Sequence, residues 1–143
     1  MIIRPMRQED VEPVSSIEAA TFSMPWSADD FREMVEAAYA HYFVAEVEGV
    51  PVGCVGIRDI AGEGDVTNVV VAAAYRGQGI GRALLTYALE QVTLLGVETY
   101  TLEVRVSNVA AIHLYEELGF QGEGVRPDFY EKPREDALIM WKR

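Results

Sequence analysis

Cysteine occurs once, at Cys54, so no disulfide can close within the chain, as expected of a protein kept in a reducing compartment. Set in VGCVGI, it reads as a core residue. Histidine is nearly as scarce. His41 and His113 lack the Cys or His neighbours that a zinc site requires, and no metal is expected. Positive charge is in deficit: 12 Lys and Arg against 23 Asp and Glu leave a net charge of −11. That balance argues against a nucleic-acid binder, which wants a broad basic face, and hence against DNA as a partner. The longest apolar run, Val69–Tyr75, has seven residues, far short of a membrane span, so no membrane association is expected. The opening MIIRPMRQED is too charged for a secretory leader. What remains is a chain of 143 residues, half of them apolar, long enough for one cored domain spanning 1–143. It is expected to be cytoplasmic and a monomer or weak dimer.

Periodicity divides that chain into mixed elements. Ile2–Arg4 suits a short strand. Asp10 is placed to cap a helix carrying Val11, Val14, Ile17 and Thr21 on one side, with Pro13 tolerated in its first turn. Ser27 and Asp30 have the spacing of a capping box before Phe31, Met34 and Val35. Strands are expected at 41–47 and 50–59, joined by a tight turn at Glu48–Gly49, and again at 65–71. Leu84, Leu85, Ala88, Leu89, Val92 and Leu95 follow helical spacing and end at Gly96. TYTLEVRV at 99–106 reads as a strand, and Asn108 as the cap of a helix ending before Gly119. A weak strand near Gln121–Val125, a charged loop and a last strand over Ala137–Trp141 complete the chain. This order predicts an α/β fold, with 65–71 parallel to 99–106.

One stretch does not fit ordinary packing. Tyr75–Leu85 reads YRGQGIGRALL, with Gly77, Gly79 and Gly81 lying between a strand and a helix. Glycine weakens both elements, so three in this place suggest an anion held against the backbone at a helix N-terminus. No Gly-Lys-Ser/Thr follows, which excludes a P-loop, and G-x-G-x-G is not the dinucleotide fingerprint. A plain glycine-rich connection is the simpler alternative. The flanking Arg76 and Arg82 favour a pyrophosphate cradle.

Arg76-Gly77-Gln78-Gly79-Ile80-Gly81 resembles the Arg/Gln-x-x-Gly-x-Gly/Ala signature of the GCN5-related N-acetyltransferase (GNAT) superfamily. NVVV before it, the ALL-type helix after it and LEVRVSNVAAIHLYEELGF at 102–120 extend the likeness over essentially the whole chain. MPWS at 24–27 and VRPDFYEKPREDALIM at 125–140 resemble the branch that acetylates alanine at the N-terminus of ribosomal proteins. Ala72–Ala74 replaces the more polar lead of that branch, and the last loop is slightly shorter. The resemblance implies a mostly antiparallel sheet with a splayed parallel pair, strands 4 and 5, and about four helices. It also implies acetyl-CoA as co-substrate. Val69, Val70 and Val71 would pair through their backbone with the pantetheine arm, an N–H there polarising the thioester carbonyl. The glycine loop with Arg76 and Arg82 would hold the diphosphate, and Asn108 and Tyr115 would lie along the cofactor.

Acetyl transfer needs a neutral amine and a route for its proton. A peptide α-amine titrates near ~8, so roughly a tenth is neutral at pH 7, against well under ~0.1% of a lysine. Glu103, flanked by apolar Leu102 and Val104, is the candidate base, directly or through water. A solvated strand carboxylate is the plain alternative. Tyr115, the family's helix tyrosine, is the candidate acid for the departing thiolate; packing against Leu118 and Phe120 is its plain reading. Trp26, Arg126, Tyr130 and Asp136 map onto loops that flank the acceptor in the resembled enzymes, although Trp26 would serve equally as a core anchor. Acidic Glu131, Glu135 and Asp136 would suit a basic ribosomal-protein tail. The expected activity is N-terminal acetylation of a protein, a ribosomal protein starting with alanine. The alternatives are acetylation of a small-molecule amine, or a module that binds acetyl-CoA without turnover.

Overall fold

A computed structural model describes residues 1–143. The elements are β1 (Ile2–Pro5), α1 (Val11–Thr21), α2 (Ala28–Glu36), β2 (Ala40–Val47), β3 (Val50–Ile60), β4 (Glu63–Val71), α3 (Ile80–Leu94), β5 (Thr99–Arg105), α4 (Val109–Glu117), β6 (Gln121–Tyr130) and β7 (Glu135–Lys142). The strands form one seven-stranded sheet in the order β1-β2-β3-β4-β5-β7-β6. Every pairing is antiparallel except β4 with β5. This is the mixed sheet, with its parallel pair and four helices, that the family resemblance implies.

Helices cover both sheet faces, and each face has its own core. On one side Leu84, Leu85, Ala88 and Val92 of α3 pack on Phe43, Val55 and Ile57, continuous with Leu102, Val104 and Tyr115. On the other, Val11 and Val14 of α1 and Phe31 and Met34 of α2 pack on Tyr42, Val44, Cys54 and Val70. Cys54 is fully buried there, as expected. Burying these side chains, at roughly 1.5–3 kcal/mol each, is what holds the helices to the sheet.

The key irregularity lies in β4. Its register with β3 slips at Gly56/Ile57, where Val66 pairs with Ile57 and Asn68 with Gly56, leaving Thr67 as an extra residue. A bulge reverses the alternation of side chains beyond it. Accordingly Val66 packs with the α3 core, whereas Val70, four residues later, packs with the α1–α2 core. The parallel pairing with β5 stops just before the bulge. Only Glu63↔Thr99, Gly64↔Tyr100 and Asp65↔Thr101 are joined. Beyond Asp65 the two strands diverge, and the backbone edge of β4 facing β5 has no partner strand.

Local signals behave as expected in several places. Ser27 Oγ accepts from the Asp30 N–H at 3.1 Å and Asp30 returns the bond to the Ser27 N–H at 2.9 Å, closing the capping box of α2. Asn108 Oδ1 accepts from the Ala111 N–H at 3.2 Å and caps α4. Asp10 takes the expected N-cap position of α1, but its side chain makes no cap bond there; it closes a 3-10 turn over Gln8–Asp10 instead, accepting from the Arg7 N–H at 2.8 Å. Its carboxylate is buried and meets the Arg4 guanidinium fork at 2.7 and 2.9 Å, a charge partner that a solvent-facing cap lacks. The chain end also differs. β6 continues past Val125 to Tyr130 through a register shift between Arg126 and Tyr130, and β7 begins at Glu135, so the charged loop shrinks to the residues between them. The added strand length carries Phe129 and Tyr130 back toward β5.

Gly64 marks the place where β4 and β5 still touch. A Cβ there would fall 2.5 Å from Tyr100 Cδ1 and 3.2 Å from Val97 Cγ1. The Tyr100 ring cannot swing aside freely, because its hydroxyl is 2.6 Å from Thr93 Oγ1 and donates to Leu89 O at 3.1 Å. Gly64→Ala is therefore expected to cost about 1–3 kcal/mol, read as a lower urea midpoint at an unchanged m-value.

Candidate active site

The divergence of β4 and β5 opens a cavity of about 710 Å³. It is lined from one sheet face by Glu18, Trp26 and Glu103, from the other by Tyr115 and Leu114, and along its edge by Val69, Val70 and Val71. Leu102 and Val104 point to the α3 side of β5, so the alternate residues Glu103 and Arg105 point to the α1–α2 side. Glu103 and Tyr115 thus approach one gap from opposite faces.

Next to the gap lies the glycine loop. Gly77 and Gly79 take positive φ, 76° and 79°, which only glycine adopts without strain, and Gly79 is the N-cap residue of α3. The consequence shows in the hydrogen bonds: the six consecutive amides from Gly77 to Arg82 donate to no backbone acceptor. Three of them, Ile80, Gly81 and Arg82, form the first turn of α3, where the helix dipole adds partial positive charge. Such a run of free N–H groups is fitted to a diphosphate. Arg76 does not reach over this loop. Its Nε donates to Val71 O and its Nη2 to Thr21 Oγ1, both at 3.0 Å, tying the end of β4 to the end of α1. Arg82 pairs with Glu117 at 2.5 Å across to α4, and Glu117 also meets His113 Nε2 at 2.9 Å.

Glu103 is only half satisfied. Oε1 lies 3.6 Å from Arg126 Nη1, whereas Oε2 is buried and has no hydrogen-bond partner. Tyr115 packs edge-on against Phe120 at 6.0 Å, as its plain reading predicts, and also borders the cavity. Burial, with a smaller contribution from Tyr130, pushes its phenol up to about 12. The phenol is therefore neutral throughout the physiological range. Asn108 has both anticipated positions, capping α4 and bordering the cavity.

On the opposite side, Trp26 combines its two readings: its ring packs on Phe31 and Tyr42 at 5.4 and 6.1 Å while bordering the cavity. Tyr130 borders the cavity too, with the Arg105 guanidinium 4.5 Å above its ring. Burial, then the neighbouring Glu103, raise its phenol. Arg126 reaches Glu103 and lies over Phe129 at 5.2 Å. Asp136 stands apart from these groups. Its Oδ1 accepts from the Asp128 N–H at 2.9 Å and fixes the bend in β6. Glu135 is likewise engaged, accepting from the Ser107 N–H at 2.7 Å and from Arg105 at 3.1 Å.

Sequence reasoning missed four contributors. Arg105 fastens the β6–β7 hairpin by donating to Glu131 O and Pro133 O, both at 2.9 Å. Phe129 joins the cavity wall only because β6 is longer than expected. Glu18 and Asn68 are buried polar residues on that wall. For Glu18 a signal existed: it falls four residues after Val14 and seven after Val11, on the stripe that faces the sheet. The buried phenol gives a direct check. Tyr115 stabilises the fold as the neutral phenol, fully below pH 10, and this contribution is lost as pH rises toward about 12. Absorbance titration should show one phenolate forming near 12, absent in Tyr115→Phe.

The comparisons agree with this geometry. Residues 11–120 match the model of the Acetyltransferase (GNAT) family. A Bacillus subtilis (strain 168) protein named "Putative ribosomal protein bS18-alanine N-acetyltransferase" is 41% identical over 97% of this chain and 93% of its own length. The ribosomal protein bS18-alanine N-acetyltransferase of Escherichia coli (strain K12) is 34% identical over 96% and 94%. The crystal structure of the ribosomal-protein-S18-alanine N-acetyltransferase from Escherichia coli superposes with a TM-score of 0.92 at 33% identity, covering 99% of this chain and 92% of that one. With a free-amide loop, a splayed β4–β5 pair and these relatives, the chain belongs to the acetyl-CoA-using GNAT family and is an acyltransferase.

Proposed function

We propose that this single-domain enzyme transfers the acetyl group of acetyl-CoA to the α-amine at the N-terminus of a protein, with Glu103 as base and Tyr115 as acid. The acceptor is a ribosomal protein beginning with alanine, of the kind named for the relatives, met in the cytoplasm. The enzyme works there as a monomer or weak dimer, with neither DNA nor membrane as a partner. One observation carries the reading: a carboxylate oxygen, Glu103 Oε2, is buried without a partner in the cavity that a buried, neutral phenol enters from the other face.

The diphosphate would lie on the amides of Gly77, Gln78, Gly79, Ile80, Gly81 and Arg82, and the pantetheine arm along the free edge of Val69, Val70 and Val71. Asn108 and Tyr115 would flank that arm. Arg76 serves by fixing Val71 O. Arg82 would exchange Glu117 for a phosphate oxygen. A main-chain N–H of the β4 edge would polarise the thioester carbonyl. The amine nitrogen attacks that carbonyl carbon, its proton passing to Glu103 directly or through water. The carbon–nitrogen bond forms, the carbon–sulfur bond breaks, and the sulfur takes the Tyr115 proton. Trp26, Tyr130 and Arg126 would shape the acceptor side. Asp136 would act at one remove, by holding the bend that presents Phe129 and Tyr130.

Thiol release from acetyl-CoA tests this with a panel of N-terminal peptides. An Ala-initiated peptide should turn over well ahead of a free amine or a blocked peptide carrying one lysine. Equal turnover of free amines would replace the protein acceptor with a small molecule. Glu103→Gln and Tyr115→Phe should each lower kcat/KM by about 10²–10⁴ with cofactor affinity kept, and wild-type rates in both would remove the assigned acid and base.

A further inference from the structure

Three buried polar side chains stand out in the chain: Asp10, Glu18 and Asn68. Asp10 has its cation in Arg4. Glu18 has none. It projects from α1 onto the sheet, is 3% exposed, and forms no ion pair with any Lys, Arg or His. Oε2 accepts from the Trp26 N–H at 3.0 Å, and Oε1 has only Asn68 Nδ2, at the limiting distance of 3.5 Å. Asn68 is itself fixed, its Oδ1 accepting from the Tyr42 hydroxyl at 3.0 Å.

Two features argue against a purely structural carboxylate. A glutamine would accept the Trp26 N–H equally well without a charge to desolvate, so the hydrogen bond alone does not account for glutamate. Secondly, Glu18 borders the cavity that Glu103 borders, on the same sheet face. Burial raises its proton affinity, and a cation brought into the cavity would relieve that cost. An unblocked protein N-terminus is such a cation, since about nine-tenths of α-amines are protonated at pH 7.

We propose that Glu18 is an acceptor-binding residue: its buried carboxylate receives the α-ammonium group of the incoming N-terminus, before Glu103 takes the proton that is lost in transfer. The inference rests on the proposed protein acceptor and adds a second carboxylate with a different task. Glu18 selects the charged amine, and Glu103 serves the neutral one. Asn68 holds the carboxylate toward the cavity, and the Trp26 N–H joins it to the loop that follows α1. A free cationic N-terminus would thus be preferred over an uncharged group of the same shape.

Binding to the enzyme saturated with coenzyme A, which cannot acetylate, isolates recognition from chemistry. Calorimetry compares an Ala-initiated peptide with its desamino analogue, in which a propionyl group replaces alanine. The wild type should bind the ammonium peptide at least about tenfold more tightly. Glu18→Gln should reduce that ratio at least about fivefold, with coenzyme A affinity unchanged and Tm equal or higher, since a buried charge has gone. Glu18→Met fills the volume without charge and gives the same reading should Glu18→Gln fail to fold. A ratio unchanged in the folded variant overturns the proposal, as does a lowered Tm with the ratio kept. If the wild type binds neither peptide, the protein acceptor itself is wrong, an outcome distinct from loss of the Glu18 effect.

Discussion

The structure turns on the early parting of two parallel strands. β4 and β5 are joined over three residue pairs and then separate where Thr67 bulges out of the β3–β4 ladder. A sheet interior ordinarily satisfies every backbone group with a neighbouring strand, so an opening here must be supported from elsewhere. The support is the two-sided core: α3 holds β2, β3 and the first half of β4 on one face, and α1 and α2 hold the second half of β4 on the other. The bulge makes this possible, because it hands β4 from one core to the other in mid-strand. The result is a slot through the sheet, with apolar walls and a free main-chain edge.

Function follows from what that slot brings together. Side chains from opposite faces of a continuous sheet cannot meet, yet Glu103 and Tyr115 border one cavity because the ladder between β4 and β5 is open. The slot leads at one end to the glycine loop, whose six free amides precede and begin α3. At the other it is walled by Trp26 after α1 and by Tyr130 at the end of β6. In the proposed reaction, a thioester-bearing ligand with a diphosphate handle would occupy the glycine-loop end and an amine acceptor the Trp26–Tyr130 end. The same construction explains why the strand residues at its edge are plain valines. Recognition there would be by main chain, and the side chains are left to pack.

How much of this could be read from the chain depended on the range of the interactions. Ser27–Asp30, Asn108 and the YRGQGIG loop were legible because capping and positive-φ turns are decided within a few residues. The family resemblance added the splayed pair and both central side chains. Thr67 carried no mark of a bulge, since the register slip appears only in the pairing of its strand with Gly56 and Ile57 on a neighbouring strand. Asp10 was legible as the N-cap position of α1 but not as the partner of Arg4, a pairing fixed by how β1 meets the turn. Arg76 and Arg82 were legible as cations near an anion site. Their present partners, Val71, Thr21 and Glu117, lie on other elements and were not. Glu18 was overlooked because a glutamate on an amphipathic helix is ordinarily solvated, although its spacing from Val11 and Val14 puts it on the buried stripe.

In the proposed function, the opened edge of β4 and the amides that follow it would form one continuous main-chain surface for coenzyme A. Amide nitrogen–proton correlation spectra recorded during titration with coenzyme A test it most directly. The largest shifts are expected on Val69–Val71 and on Gly77–Arg82, while the amides of β1 and β2 stay in place. Saturable binding that leaves those two segments unmoved would contradict it.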